Sequence, residues 1–242
     1  MRAAGRTKRI VGAVGVVLIL LVATGCRLKP GVAYHGDGTY YAGDGSGNCS
    51  FPAGSSGVLY AAMNNADYGA DGYVCGAYIR ATGPDGSVTV QIVDRCPECA
   101  AGDVDFSPEA FDAIADPVDG RVPVSWKIVS APVSVGNLQF VVKDGSNPYW
   151  IGFQVRQHAN MITTVEAQVG GSWVALQRQQ YNYFLATSGL GSGPFTLRVT
   201  DVYNQQLVKS GITLTPDAVQ TSSLQFTRNV KGPLPSPEDA RK

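Results

Sequence analysis

The sequence predicts a mainly β protein made of two units. Short runs in which apolar and polar residues alternate are separated by Gly- and Pro-rich turns along most of the chain. Only one clear helix start occurs, at Ser107-Pro108-Glu109. Charge is uneven, because residues 27–131 hold 13 acids and 6 bases whereas residues 132–228 hold 4 acids and 6 bases. About 215 mature residues are enough for two small hydrophobic cores.

The N-terminus has the composition of a secretory signal. Residues 1–9 carry four basic side chains and no acid, and residues 10–23 form an almost unbroken apolar run. That run is shorter than the about 20 apolar residues of a spanning helix. We therefore predict a signal peptide at residues 1–25, a linker at residues 26–32 and an extracellular mature protein.

Cys26 is a candidate for lipidation. The segment Ala23-Thr24-Gly25-Cys26 resembles the bacterial lipoprotein box, whose cysteine becomes the lipidated first residue. Without Cys26 the other four cysteines form an even set, which suits two disulfides outside the cytoplasm. The alternative is an ordinary signal cleavage that removes Cys26 or leaves it as an odd thiol. The mature protein is thus predicted to be secreted or lipid-anchored at the cell surface, with no other membrane contact.

The net charge excludes one class of partner. Removing the four basic residues of the signal leaves 15 Lys and Arg against 19 Asp and Glu, a net charge of −4. A protein without a basic field has no electrostatic attraction for phosphate backbones. Nucleic acid is therefore excluded as a partner.

The first unit is predicted at residues 33–131. Residues 31–57 are rich in Gly, Ser, Asp and Tyr, which indicates loops around short strands. Ser107 is the predicted N-cap of a short helix because Pro108 follows it at the first helical position. The clear elements are a hairpin of Tyr78–Thr82 and Ser87–Val93 around Gly83-Pro84-Asp85-Gly86, the helix Pro108–Ile114 and the strand Val122–Val129.

The second unit, at residues 132–228, is predicted to be an all-strand β-sandwich of about 100 residues. Asp-Gly, Gly-Gly and Gly-Ser-Gly turns separate its strands. Residues 229–242 hold three prolines and mixed charges, which predicts a disordered tail. The predicted strands are Leu138–Val142, Trp150–Arg156, Thr164–Val169, Ser172–Gln177, Phe195–Val199 and Gln206–Leu214.

The pair Cys96 and Cys99 raises the question of a metal or redox centre. A structural zinc site needs four ligands, yet the only histidines, His35 and His158, lie in different predicted units. Export favours a disulfide over thiol chemistry, so we predict no metal and no cofactor. Spacing does not determine the pairing; we favour Cys96–Cys99 and Cys49–Cys75.

Asp94 and Asp105 are the candidate functional acids of the first unit. Asp94 is predicted at the end of a strand and Asp105 just before the helix, where loop side chains can converge on a groove. The alternative is that each carboxylate only caps a turn or a helix.

Residues 33–228 resemble a bacterial expansin from end to end. The first unit is similar to the six-stranded double-psi β-barrel shared with family-45 endoglucanases, and the second to the expansin carbohydrate-binding module, an immunoglobulin-like β-sandwich. The motifs that carry the resemblance are Gly38-Thr-Tyr-Tyr41, Val93-Asp94, Asp103-Val-Asp-Phe-Ser-Pro108 and Val124-Ser-Trp-Lys127, then Lys143-Asp-Gly-Ser-Asn-Pro-Tyr-Trp150, Phe153-Gln-Val-Arg-Gln-His158 and Tyr181-Asn-Tyr-Phe184.

The resemblance implies roles for four barrel residues. Asp105 falls on the essential expansin aspartate, which is the general acid in the related glycosidases. Thr39, Tyr41 and Asp94 fall on groove residues that contact the glucan or orient that aspartate. One position departs from the pattern: bacterial expansins often have a tyrosine where this chain has Cys96.

The resemblance also argues against glycoside hydrolysis. An inverting hydrolase needs a second carboxylate roughly 6.5–9.5 Å from the acid to activate water. The position that matches this base in the related enzymes is Gly43, which cannot take a proton. Asp44, the next residue, is the alternative base.

The resemblance also implies binding residues in the second unit. The aromatic triad with which the expansin module lies flat on cellulose matches Tyr149, Trp150 and Tyr181, and a lysine beside it matches Lys143. Aromatic rings stack on the apolar faces of sugars. Asn147-Pro148 precedes the first pair and allows a loop on which both rings share one surface. We expect the other two tryptophans, Trp126 and Trp173, to lie in the core.

These observations predict a monomeric protein that binds cellulose or a related neutral β-glucan and loosens wall polysaccharides without breaking a glycosidic bond. The rival prediction is an enzyme: a weak endoglucanase using Asp105 with Asp44, or a peptidoglycan lytic enzyme like rare lipoprotein A. A third alternative is a plain carbohydrate-binding protein with an inert barrel.

Overall fold

The computed structural model describes residues 27–54, 59–132 and 135–229. The predicted signal peptide, the lipidation at Cys26 and residues 230–242 of the predicted tail lie outside the described residues. In the described ranges, no helix is long and apolar enough to cross a bilayer.

The first unit is a closed six-stranded barrel with strand order β1-β5-β2-β4-β3-β6. Two of its strand pairs, β1 with β5 and β2 with β4, are parallel, and the other pairs are antiparallel. The elements are β1 (Tyr34–Tyr40), β2 (Tyr60–Asn64), α1 (Asn65–Tyr68), β3 (Tyr78–Thr82), β4 (Ser87–Cys96), β5 (Val104–Phe106), α2 (Pro108–Asp112), a 3-10 helix (Pro117–Asp119) and β6 (Val122–Val129).

Trp126 fills the centre of the barrel core. It is 1% exposed, and its indole nitrogen donates a hydrogen bond to the carbonyl of Gly102 at 2.7 Å. The ring of Tyr34 stacks on it with the ring centroids 4.7 Å apart. The N–H of a buried Trp needs a hydrogen-bond partner, and the carbonyl of Gly102 is that partner here.

The second unit is a sandwich of two antiparallel sheets, with strand orders β10-β9-β13-β14 and β11-β12-β8-β7-β15. Phe153 of one sheet and Phe195 of the other meet edge to face with ring centroids 5.4 Å apart, which joins the two inner faces. The strands are β7 (Gln139–Val142), β8 (Ile151–Arg156), β9 (Ile162–Val169), β10 (Ser172–Ala175), β11 (Gln177–Arg178), β12 (Phe184–Ala186), β13 (Phe195–Asp201), β14 (Gln206–Ile212) and β15 (Val219–Thr221).

The predicted fold class, a six-stranded double-psi barrel followed by a β-sandwich, is confirmed. The hairpin and the strand Val122–Val129 lie where the sequence predicts them, and α2 begins at Pro108 after the Ser107 cap but ends at Asp112. The limits of the two units, 33–131 and 132–228, stay predictions.

Two expectations about the candidate acids need correction. Asp94 lies inside β4 and not at its end, because the parallel pairing of β2 with β4 continues to Asn64 and Cys96. Asp105 lies on the short strand β5, between Val104 and Phe106, and not on a loop before the helix.

Trp173 also differs from its prediction as a core residue. It is partly exposed on β10, and the guanidinium of Arg198 stacks over its ring at 4.6 Å. Arg198 is itself held by Glu166 through two hydrogen bonds of 2.6 and 2.7 Å. Trp173 therefore belongs to an ion-pair cluster on the surface of the four-stranded sheet.

The barrel and the sandwich are joined by hydrogen bonds around the Cys49–Cys75 disulfide. The side chain of Gln154 donates to the carbonyl of Cys49 at 2.9 Å, and that of Asn182 donates to the same carbonyl at 3.3 Å. Arg178 donates to the carbonyl of Cys75 at 3.4 Å. The backbone on both sides of the disulfide thus forms the contact surface for the sandwich.

Candidate functional site

Thr39 and Asp105 form the centre of the candidate site in the barrel. The parallel register of β1 and β5 places the two residues side by side. Thr39 Oγ1 donates to Asp105 Oδ1 at 2.6 Å. On β5 the neighbours Val104 and Phe106 are fully buried, so alternation turns Asp105 to the other face, where it is only partly buried.

Burial and neighbouring charges shift the pKa of the Asp105 carboxyl. Partial burial raises the pKa of this carboxyl above its ordinary value, and the charges of Glu98 and Asp94 raise it further. The hydrogen bond from Thr39 and the charge of Arg121 lower the pKa but do not reverse the shift. A carboxyl that keeps its proton can donate a hydrogen bond to a sugar oxygen or act as a general acid.

Asp94 fixes a loop beside this centre. Its Oδ1 accepts from the backbone N–H groups of Asn48 at 2.6 Å and Arg95 at 2.8 Å. A Cβ at Gly47 would lie 2.3 Å from Asp94 Cγ, so only glycine allows the approach. The structure therefore gives Asp94 a loop-anchoring contact next to the groove.

Tyr41 brings an unpartnered hydroxyl to the same region. Its Oη is buried and has no hydrogen-bond partner within the part of the chain that the structure describes. Burial raises the pKa of Tyr41, and the charges of Asp94 and Asp105 add to the rise. A buried hydroxyl without a partner is costly, so Tyr41 would gain from any movement that gives its hydroxyl a partner.

Gly43 and Asp44 are the two candidate positions for a catalytic base. A Cβ at Gly43 would lie 2.7 Å from the ring of Tyr41, so no acidic side chain fits there unless that ring moves. Asp44 is exposed, and its Oδ1 accepts from the N–H of Ser46 at 2.9 Å and from the Ser46 hydroxyl at 2.6 Å. These bonds lower the pKa of Asp44, which weakens it as a base.

A disulfide lies beside Asp105 at the position where the expansin pattern often has a tyrosine. Cys96 is bonded to Cys99, and Cys49 to Cys75. The two sulfurs of the first pair and a carboxylate oxygen of Asp105 lie within 4.8 Å of one another. Joined in a disulfide, these sulfurs are not the thiolates that bind metal ions.

The sandwich carries the second part of the candidate site. Tyr149 lies in a tight turn closed by backbone hydrogen bonds between Asn147 and Trp150, and it is 83% exposed. Trp150 follows it and is partly exposed. A Cβ at Gly189 would lie 2.5 Å from the Tyr149 Cα, so the neighbouring loop packs closely under the turn. This support presents the Tyr149 ring to solvent.

Tyr181 and Lys143 both lie close to a third ring, Tyr183, which was not among the predicted site residues. The Tyr183 ring centroid is 6.0 Å from that of Tyr181, and Lys143 Nζ lies 5.6 Å from it. A cation at this distance from an aromatic ring is held by the ring's quadrupole. Tyr183 was identifiable only by its i, i+2 spacing from Tyr181.

Asn48, which the sequence analysis also missed, connects the two parts. Its backbone N–H donates to Asp94, and its side-chain amide donates to the hydroxyl of Tyr68 at 2.9 Å and to the carbonyl of Gln180 at 3.2 Å. Gln180 directly precedes Tyr181. One residue therefore contacts both Asp94 in the barrel and the loop that carries Tyr181 in the sandwich.

A closed six-stranded barrel with two parallel strand pairs, joined to an antiparallel sandwich, places the chain in the class of two-unit double-psi β-barrel proteins. A family model described as lytic transglycolase matches residues 35–126, the barrel. The Bacillus subtilis protein Expansin-YoaJ is 33% identical over 175 residues, which cover 71% of this chain and 74% of the relative. Expansin-like protein 5 of Dictyostelium discoideum is 30% identical over 73% of this chain and 78% of its own length. The chain belongs to the expansin family.

Solved structures extend the similarity to both units. A point mutant of the Clavibacter michiganensis expansin, crystallised in complex with cellohexaose, is 35% identical with a TM-score of 0.75. The match covers 81% of this chain and 98% of that one. The apo form of the same expansin is 36% identical with the same TM-score.

Proposed function

We propose that this protein binds a cell-wall β-glucan and loosens the polysaccharide network by displacing non-covalent contacts, without cleaving the chain. The observation that carries the proposal is the geometry at Gly43 and Asp44. The first position has no room for a carboxylate against Tyr41, and the second carboxylate is bonded within its own turn. In this proposal neither of these two positions supplies a partner base for Asp105.

In this proposal the groove and the aromatic platform bind one glucan together. Asp105, oriented by Thr39, donates its proton as a hydrogen bond to a sugar oxygen, and the Tyr41 hydroxyl gains the partner that it lacks. Asp94 holds the loop at Asn48 beside the groove. Tyr149, Trp150 and Tyr181 stack on sugar faces, and the ammonium group of Lys143 binds a hydroxyl.

The ligand is a neutral glucan of the cellulose type. Similarity to an expansin crystallised with cellohexaose supports this choice. The net charge of −4 for the chain without its signal supports a neutral polymer over an acidic one. The proposal includes a monomer that acts outside the cell, either secreted or held at the surface through Cys26.

A peptidoglycan lytic enzyme is the second candidate. The matching family model is described as lytic transglycolase, and the raised pKa of Asp105 suits a general acid. The aromatic platform favours glucan over peptidoglycan as the main ligand.

Product analysis separates these candidates. The mature protein is incubated with insoluble cellulose, with cellohexaose and with purified peptidoglycan, and bound protein and soluble products are measured. We expect cellulose binding with no shorter oligosaccharide. Products that disappear in Asp105→Asn would make the protein a hydrolase, and muropeptide release would favour the lytic enzyme.

A further inference from the structure

The Cys96–Cys99 disulfide connects a fixed part of the groove wall to an exposed turn. Cys96 is the last residue of β4 and is paired with Asn64 of β2. Cys99 is partly exposed and follows the exposed turn residues Pro97 and Glu98. One sulfur is therefore held by the barrel sheet, whereas the other lies in a short turn that ends at Ala100, whose N–H donates to Asp103 Oδ2 at 3.2 Å.

The two disulfides differ in their access to solvent. Cys49 and Cys75 are both 0% exposed and are 26 residues apart. Cys96 and Cys99 are only 3 residues apart, and Cys99 is partly exposed to solvent whereas Cys96 is buried. Exposed disulfides are the labile ones, and a short loop gains the least from the cross-link.

We propose that Cys96–Cys99 is a thiol-exchange site through which a small dithiol alters the groove beside Asp105. A thiolate of the dithiol attacks Cys99 Sγ, the S–S bond breaks, and Cys96 leaves as a thiolate that takes a proton from water. The second thiolate of the reagent attacks its own sulfur in the mixed disulfide and releases Cys99. The dithiol is oxidised to a cyclic disulfide, and its two electrons reduce the pair to two thiols.

Reduction changes the surroundings of the Asp105 carboxyl. With the cross-link open, the turn of residues 97–99 stays attached at Cys96 and at Ala100 but gains freedom between them, so water reaches Asp105 more easily and the charge of Glu98 acts on it less. Burial and Glu98 both raise the pKa of Asp105. Asp94 also raises it, but Asp94 lies on β4, which its pairing with β2 holds in place with or without the cross-link. The pKa of Asp105 therefore falls on reduction, and glucan binding weakens. This last consequence rests on the proposed function.

The order of reduction tests the exchange site. The folded protein is treated with graded dithiothreitol, quenched with iodoacetamide and digested, and labelled cysteines are identified by mass spectrometry. We expect both labels on Cys96 and Cys99 before either appears on Cys49 or Cys75. Equal rates, or earlier labelling of the second pair, would overturn the proposal.

The coupling to Asp105 is tested by carboxyl carbon-13 titration of the oxidised protein, the reduced protein and the Cys96→Ser/Cys99→Ser variant. We expect a lower Asp105 pKa and weaker cellohexaose binding in the last two samples, with recovery on reoxidation of the reduced one. An unchanged Asp105 titration would overturn the coupling. Oxidised protein that fails to bind cellohexaose would instead refute the proposed function, and the labelling order and the titration would still decide this inference.

Discussion

The hydroxyl of Thr39 lies 2.6 Å from the carboxyl of Asp105, and donor and acceptor belong to neighbouring parallel strands of the barrel. The bond stabilises the ionised form of a group whose partial burial favours the neutral one. These two effects oppose each other at one carboxyl, and their balance sets the range of pH in which Asp105 can donate a proton.

Thr39→Val should raise the pKa of Asp105 further. Valine keeps the volume of threonine but removes the hydrogen bond that favours the carboxylate. Carboxyl carbon-13 titration measures the pKa directly. Thr39→Ser keeps the hydroxyl and should leave the titration close to that of the wild type. A pKa that falls or stays constant in Thr39→Val would show that the bond does not control the proton on Asp105.

Tyr149→Ala should weaken binding to insoluble cellulose without lowering stability, because the ring is 83% exposed. Stacking of one ring on a planar partner contributes about 1–3 kcal/mol, which corresponds to a roughly 5- to 150-fold loss of affinity. Trp173→Ala is the matched aromatic control, since Trp173 lies on the four-stranded sheet. Equal losses in both variants would refute the assignment of the platform.

Asn48→Ala should lower the free energy of unfolding by about 0.5–1.5 kcal/mol for each lost hydrogen bond, because the carbonyl of Gln180 and the hydroxyl of Tyr68 each lose a donor but keep the bond between them. Urea denaturation measures the change. The affinity for long cello-oligosaccharides should fall more than the affinity for short ones, since only long ligands contact both groove and platform. An equal fall for every ligand length would show that Asn48 does not align the two parts.

Stability should decrease as the pH falls from about 6.5 to about 4, because burial lowers the pKa of His158 to about 4. In that window the unfolded chain binds a proton that the folded chain does not. The free energy of unfolding therefore decreases as the pH decreases. The full contribution is roughly 3 kcal/mol. Asp105 has the opposite effect on stability. Because its pKa is raised in the folded chain, its contribution to the free energy of unfolding increases as the pH decreases.

His158→Gln isolates this contribution. Glutamine can donate to the carbonyl of Asn160, which lies 2.8 Å from His158 Nδ1, but it does not titrate. Thermal unfolding of both proteins between pH 4 and pH 7 gives the comparison. A variant whose stability depends on pH as steeply as that of the wild type would place the acid sensitivity in other groups.

Local sequence patterns predicted much of the fold. The hairpin at Tyr78–Thr82 and the strand Val122–Val129 follow from alternation and turn residues, and α2 follows from the Ser107 cap. The strand β2 was missed because Tyr60-Ala-Ala-Met-Asn64 lacks alternation, and four of its five residues are buried. This segment is a β-strand because it pairs with β4 and β5, and not because of its own propensity.

The candidate site was less accessible to sequence reasoning because its geometry depends on distant contacts. Asn48 reaches Gln180 across 132 positions, which no local pattern records. Trp173 was wrongly predicted as core because alternation does not say which face of a strand is covered. Its pairing with Gln168 places it on the exposed side of the sheet.

The most direct test of the account is the creep of a heat-inactivated cellulosic wall strip under constant load, with the bath assayed for soluble sugar. We predict that the mature protein extends the strip without releasing sugar, that Asp105→Ala abolishes extension, and that Asp44→Asn extends it as the wild type does. Sugar release that depends on both Asp105 and Asp44 would contradict the account and make this protein a hydrolase.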